Sequence, residues 1–207
     1  MITLAVPKGR MLEETISLVE RLGIRFRGDI AGSRKLIHTS TNRKLRILVI
    51  RAQDVATFVE RGGADLGVVG RDLLEEYSPD VYELLDLGFG YCRLVLATPK
   101  NRPLSLDGRT LKIATKYQRI TEAYFSYKGL EVDIIKLYGS IELAPLIGLS
   151  DGIVDLVSTG GTLRANKLVE VETIMESTAR LIANRASFKT RHSEVIPFLK
   201  RLKLDTG

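Results

Sequence analysis

Short apolar runs alternate with helically spaced stretches along almost the whole chain, and this rhythm limits the fold more than any other feature. Residues 2–6 read as a strand and Pro7-Lys8-Gly9-Arg10 as its turn, after which Met11, Leu12, Ile16, Val19 and Leu22 recur at helical spacing. Residues 45–50 and 52–60 repeat the strand–helix pair, and a third strand at 65–70 runs into a helix beginning at Arg71. Residues 92–98 form a further strand, ended by Pro99-Lys100-Asn101-Arg102-Pro103, whose breakers mark a boundary. The rhythm then restarts, with strands at 111–115, 132–137 and 153–157, helices at 120–128 and 141–149, and a strand-like stretch at 169–177. Residues 178–186 look helical, and a last helix opens near Ser193, a plausible N-cap, with Pro197 close to its first turn. Such alternation predicts an α/β fold with a mainly parallel sheet covered by helices. Two small units are expected, residues 1–90 plus 178–207 and residues 91–177, the C-terminal helix returning to the first. Ligands of such sheets bind at the carboxyl ends of the strands.

At 207 residues the chain is long enough to bury a substantial core. Lys and Arg outnumber Asp and Glu by 31 to 25, a net charge of +6, which favours polyanions. The basic residues are scattered, and the aromatic content of 6% without Trp offers little surface for stacking bases, so no nucleic-acid partner is expected. One cysteine and two histidines rule out an internal disulfide framework and argue against a structural zinc site. Cys92, in a strand-like run, reads as a small buried hydrophobe. His38 and His192 read as solvated, and neither belongs to a Ser-His-Asp or Cys-His arrangement. No run approaches the roughly 20 apolar residues of a membrane span, and the apolar N-terminal stretch is too short for a signal peptide, so a cytoplasmic location is expected.

One segment carries specific chemistry. After the strand 153–157 comes Ser158-Thr159-Gly160-Gly161-Thr162, and a helix can start at Leu163. A strand, a glycine turn and a helix start gather backbone N–H groups and the positive end of a helix dipole, and glycine lets an anion approach closely. It is neither a Walker A loop nor a dinucleotide fingerprint. Asp155, four residues before Thr159, would repel phosphate but can accept hydrogen bonds from sugar hydroxyls, and Glu142, at the start of the preceding helix, can pair with it. A carboxylate followed by a phosphate cradle suits a phosphorylated ribose. In the first half, three successive strands end in cations: Lys8 and Arg10, Arg51, and Arg71. Arg34, in the polar stretch Gly32-Ser33-Arg34-Lys35, is a further candidate.

Glu142, Gly148, Ser150, Ile153, Asp155-Leu156, Ser158 or Thr159, Gly160 and Thr162-Leu163 resemble the signature region of the ATP phosphoribosyltransferases, the first enzymes of histidine biosynthesis. Pro7-Lys8-Gly9-Arg10, Arg51-Ala52-Gln53-Asp54, the block from Ala64 to Asp72 and Ile113-Ala114-Thr115-Lys116-Tyr117 resemble the family's other blocks, in order. The resemblance implies a two-lobed fold like the type II periplasmic binding proteins, with an inter-lobe cleft. It implies condensation of ATP with phosphoribosyl pyrophosphate (PRPP), dependent on Mg²⁺. The length is similar to the family's short form, which implies a regulatory subunit resembling histidyl-tRNA synthetase, joined in a hetero-oligomer, a hetero-octamer. On this reading Glu142, Asp155, Ser158, Thr159, Gly160, Gly161 and Thr162 bind PRPP, while Lys8, Arg10, Arg34, Arg51 and Arg71 bind ATP. Arg10 and Arg51 are the candidate catalytic residues, and no protein metal ligand or general base is assigned. The competing readings are a solute-binding protein of the same fold, which would carry an export signal, and an RNA-binding protein, supported only by the positive charge.

Overall fold

The computed structural model describes residues 1–104 and 110–206 and divides the chain into two compact units. One unit comprises residues 1–74, 78–90 and 178–207; the other comprises 75–77 and 91–177. In chain order the first unit begins with β1 (Ile2–Pro7), α1 (Arg10–Arg21), β2 (Ile37–Thr39), β3 (Leu45–Ile50), α2 (Ala52–Glu60) and β4 (Leu66–Gly70). Next come α3 (Arg71–Tyr77) and β5 (Tyr82–Asp86). The second unit contains β6 (Cys92–Pro99), β7 (Leu111–Thr115), α4 (Gln118–Tyr127), β8 (Val132–Lys136), α5 (Leu143–Leu146), β9 (Gly152–Val157), α6 (Gly161–Ala165) and β10 (Leu168–Ser177). The chain returns to the first unit through β11 (Ala179–Ala183), α7 (Arg185–Thr190) and α8 (His192–Thr206).

The first unit's sheet runs β2-β3-β1-β4-β11-β5. β1 lies at its centre, parallel to β3 and β4. All five residues of β4 are buried, as expected of a strand covered on both faces. Leu12, Leu18 and Val19 of α1 and Val195, Phe198 and Leu202 of α8 join Leu4, Val6, Leu45 and Leu181 in one apolar cluster. Helix α2 lies so close to β4 that Gly67 has no room for a side chain: a Cβ there would stand 2.7 Å from Val59 Cγ2 and 2.8 Å from Val55 Cγ1. At the opposite edge of this sheet Asp65 accepts the Thr3 amide at 2.8 Å and pairs with Arg191 at 2.5 Å, fastening the start of α8 beneath the strands.

The second unit's sheet runs β10-β6-β9-β7-β8. Val95, Ala97, Ala114, Ile153 and Val157 of its strands pack with Ile141, Ala144, Leu163 and Leu168. β10 is an edge strand of ten residues, and its pairing with β6 slips at Val171 and at Ile174. Both residues are extra on the β10 side, which makes them bulges.

Several expectations need correction. Both sheets are mixed rather than mainly parallel, because β6, β10 and β11 run against their neighbours. Residues 179–183 form β11, not a helix: Leu181, Ile182 and Ala183 are needed as buried rungs against β4, and tertiary pairing overrides the local pattern. Helix formation begins only at Arg185, where Asn184 caps α7 by accepting the Ser187 amide at 2.8 Å. Ser193 lies inside α8 rather than capping it, which moves Pro197 past the first turn. The breakers at 99–103 mark no unit boundary, since β6 and β7 share a sheet. Cys92, the first residue of β6, is half-buried rather than buried. β2 and β5, which the apolar pattern did not announce, are short strands with exposed or half-exposed residues throughout.

Candidate active site

In the second unit β9 lies between β6 and β7, and its carboxyl end carries the glycine loop. Gly152 starts the strand where a Cβ would come within 3.0 Å of the Ala97 carbonyl, so the residue type is fixed by close strand packing. Ser158 and Thr159 are exposed, and Gly160 takes the left-handed conformation, φ 73°, that turns the chain into α6. The first amide bonded back into this turn is that of Arg164, to Gly160 O at 3.1 Å. The amides of the loop before it therefore have no intrahelical carbonyl and face outward from the helix start. α6 itself is only five residues long, shorter than the sequence pattern suggested, and Leu168 already belongs to β10.

Glu142, Asp155 and residues 156–163 line one depression of about 260 Å³. The structure thus brings all seven residues assigned to the sugar phosphate into one place. Asp155 accepts the amide of Leu156 at 2.8 Å. Burial pushes its carboxyl above the ordinary aspartate value; the Leu156 amide and the positive charge of Lys116 pull it back, and Glu142 pushes it further up. Glu142 occupies the N-cap position of α5 but makes no capping bond, which leaves its carboxylate to the pocket. Arg93, the second residue of β6, forms a two-bond ion pair with Glu170 at 2.7 and 3.2 Å. A Cβ at Gly160 would lie 3.4 Å from Glu170 Oε1, so this pair borders the loop. Sequence reasoning gave no role to Arg93, Glu170 or Lys116, because none of them sits in the loop; strand register alone brings them near.

In the first unit Lys8 and Arg10 follow β1, Arg51 follows β3 and Arg71 follows β4. These three strands are adjacent and parallel, so all four cations stand at one sheet edge. Arg34 joins them because β2 runs against β3, with Ile37 opposite Leu48, and so starts at the same edge. All five side chains are exposed. Arg10 pairs loosely with Glu14 one turn on, at 3.3 Å, and Gly9, at φ 98°, makes the turn that carries it. Asp86 also lies here: it accepts Gly88 N and Thr178 Oγ1, each at 3.0 Å, and pairs with Arg180. Although burial works against it, these bonds hold its carboxyl below the ordinary value, with the charges of Arg180 and Arg71 contributing.

Residues 51–204 match the family model described as HisG, ATP phosphoribosyltransferase. The chain belongs to the ATP phosphoribosyltransferase family. A relative from Geobacter sulfurreducens, ATP phosphoribosyltransferase 2, is 54% identical across 98% of this chain and 97% of its own length. The ATP phosphoribosyltransferase of Leptospira biflexa is 48% identical across 98% of this chain and 100% of its own. Among solved structures, the ATP phosphoribosyl transferase (HisG:HisZ) complex from Thermotoga maritima aligns with a TM-score of 0.84 at 33% identity, covering 100% of this chain and 98% of that one. The substrate-binding protein of an amino-acid ABC transporter aligns with a TM-score of 0.59 at 14% identity over 98% of this chain, a likeness of fold alone. The fold is α/β of the type II periplasmic-binding-protein kind. The enzyme is a pentosyltransferase that condenses ATP with PRPP, giving N1-(5-phosphoribosyl)-ATP and pyrophosphate, the first step of histidine biosynthesis.

Proposed function

We propose that the depression after β9 is the PRPP subsite of this transferase and the cationic edge of the first unit its ATP subsite. The observation that carries the assignment is the convergence of Glu142 and Asp155 with the amides and hydroxyls of residues 158–162 on one small depression. Its volume lies below the roughly 300–1,000 Å³ of drug-sized pockets and suits a sugar phosphate. Thr159, Gly160, Gly161 and Thr162 bind the 5′-phosphate through main-chain N–H groups and hydroxyls, with Ser158 beside them. Asp155 and Glu142 accept hydrogen bonds from the ribose hydroxyls. Lys8, Arg10, Arg34, Arg51 and Arg71 receive the triphosphate of ATP, with Arg10 and Arg51 acting on the charge that moves during transfer.

The lone pair of adenine N1 forms the bond to C1 of the ribose as the C1–O bond breaks, and its electron pair leaves on pyrophosphate. The ribose passes through an oxocarbenium-like state, so the residues serve mainly to align the reactants and to stabilise moving charge. No protein nucleophile is required. The donor set also fits Mg²⁺, a hard cation usually held by one or two carboxylates together with substrate phosphates and water. Glu142 and Asp155 are the carboxylates that would hold it, and no group of three or more His, Cys, Asp or Glu forms a protein-only cage among the described residues. When bound, the cation offsets negative charge on the departing pyrophosphate.

A regulatory subunit similar to histidyl-tRNA synthetase is the proposed partner, in a cytoplasmic hetero-oligomer. The reading is supported by full-length alignment with a protein solved as a HisG:HisZ complex. The test is purified chain with ATP, PRPP and Mg²⁺, alone and with that subunit, followed by pyrophosphate release. Histidine should inhibit only the mixture. Absence of pyrophosphate release in both arms would defeat the proposal.

A further inference from the structure

The proposed PRPP subsite holds two carboxylates and a phosphate-binding loop, and no cationic side chain of the second unit has yet been assigned to the pyrophosphate. That group carries several negative charges and becomes more negative as it leaves. Carboxylates beside it repel it. A cation close to Asp155 is the missing complement.

Strand register supplies one. β7 and β9 are parallel neighbours, with Thr115 opposite Val154. Lys116 is the first residue past β7, and Asp155 follows Val154 in β9, so both lie toward the carboxyl edge of the sheet. The Lys116 charge reaches Asp155, where it opposes the effect of burial.

The backbone around Lys116 is unusually well fixed. Thr115, fully buried, donates its hydroxyl to Val154 O at 2.7 Å and accepts the Tyr117 amide on the same oxygen at 2.9 Å. Thr121 donates to Tyr117 O from the first turn of α4. The exit from β7 is therefore tied both to β9 and to the following helix, and Lys116 lies inside that tie. Its side chain is half-buried, with Nζ lying 4.8 Å from the centre of the Tyr117 ring. Among the described residues it forms no ion pair within 4.0 Å, so the ammonium is held in place yet uncommitted to a carboxylate.

We infer that Lys116 is a catalytic residue of the transfer, contacting the pyrophosphate of PRPP and stabilising it as it departs. The inference rests on the PRPP assignment made above and adds to it the group that faces the leaving end of the substrate. Asp155 and Glu142 then hold the sugar, the loop holds the 5′ end, and Lys116 the C1 end. As the C1–O bond breaks, the electron pair goes to the pyrophosphate oxygen, and the fixed ammonium meets the charge that develops there.

Calorimetric titration of the full chain in Mg²⁺ with four ligands tests this: PRPP, pyrophosphate, ribose 5-phosphate and ATP. Lys116→Met keeps the apolar stem over Tyr117 and removes the charge. It should weaken PRPP and pyrophosphate at least about tenfold, the scale of a lost charged hydrogen bond. Ribose 5-phosphate, which lacks the leaving group, and ATP should change less than about twofold. Lys116→Arg should restore most of the pyrophosphate affinity, and turnover in Lys116→Met should fall while the KM for ATP holds. Unchanged PRPP affinity, or equal losses for PRPP and ribose 5-phosphate, would overturn the inference. Failure of the loop assignment is separable: Gly160→Ala would then leave ribose 5-phosphate binding unaltered, whatever Lys116→Met does.

Discussion

Replacing Gly67 by alanine should destabilise the first unit by about 2–3 kcal/mol, in the upper part of the overpacking range. The added methyl would stand 2.7 Å from Val59 Cγ2, 2.8 Å from Val55 Cγ1 and 3.3 Å from Ile182 Cγ1. Carbon atoms prefer about 3.5–4.0 Å, so two contacts are short by roughly 0.7 Å or more. Neither valine can swing away, because β-branched side chains in a helix keep essentially one χ1 rotamer. Helix α2 must move off β4, or β4 must bend. For a chain of this length each kcal/mol lowers Tm by about 2–4 °C, which makes the expected fall about 4–12 °C. Val59→Ala removes the nearer γ-carbon. Alone it should also destabilise, by the lost methyl burial and the space left behind. Combined with Gly67→Ala it should cost less than the sum of the two, by about 1 kcal/mol or more, since the new methyl fills the vacated volume. Urea or thermal unfolding of the two single variants and the double variant measures all three terms. A Gly67→Ala effect under about 0.5 kcal/mol, or strict additivity, would refute the packing argument.

Asp155→Asn should lower kcat/KM for PRPP about 10- to 150-fold, the equivalent of a lost charged hydrogen bond, in a steady-state assay. The same variant should be no less stable near neutral pH without Mg²⁺ or substrate. Because burial raises the folded-state carboxyl above its unfolded value of 3.8, its contribution to stability is present at low pH and lost as pH rises through the folded value. Calorimetric scans of both proteins against pH should converge on acidification. Glu194 behaves in the opposite sense. Arg191 and the N-terminal amine hold it down to about 2, so its contribution is present above the ordinary glutamate value of 4.5 and fades as pH falls toward about 2. Glu194→Gln should flatten that part of the Tm–pH curve. Gly160→Ala should cost about 1–2 kcal/mol for a left-handed residue bearing a Cβ, and should raise the KM for PRPP more than that for ATP.

The sequence made the phosphate loop legible because all its working parts are consecutive, from Asp155 to Thr162. The cationic edge was legible for Lys8, Arg10, Arg51 and Arg71 because each follows an apolar strand. Lys116 and the Arg93–Glu170 pair were not, since their relation to the loop exists only through register: Arg93 lies opposite Val157 on a strand running the other way. The same reversal of direction explains the misread sheets. A largely buried strand such as 92–99 has the same apolar composition whichever way it runs, and residue periodicity carries no sign of direction. β2 was missed because all three of its residues lack full burial and so leave no alternating pattern.

The two bulges of β10 have a bearing on solubility. An edge strand of ten residues, with Val169 and Val171 facing solvent, is long enough to template a further strand from another molecule. The extra residues at Val171 and Ile174 break its outer row of amides and carbonyls into short stretches that no straight strand can follow. Polymerisation through that margin is thus discouraged by two insertions.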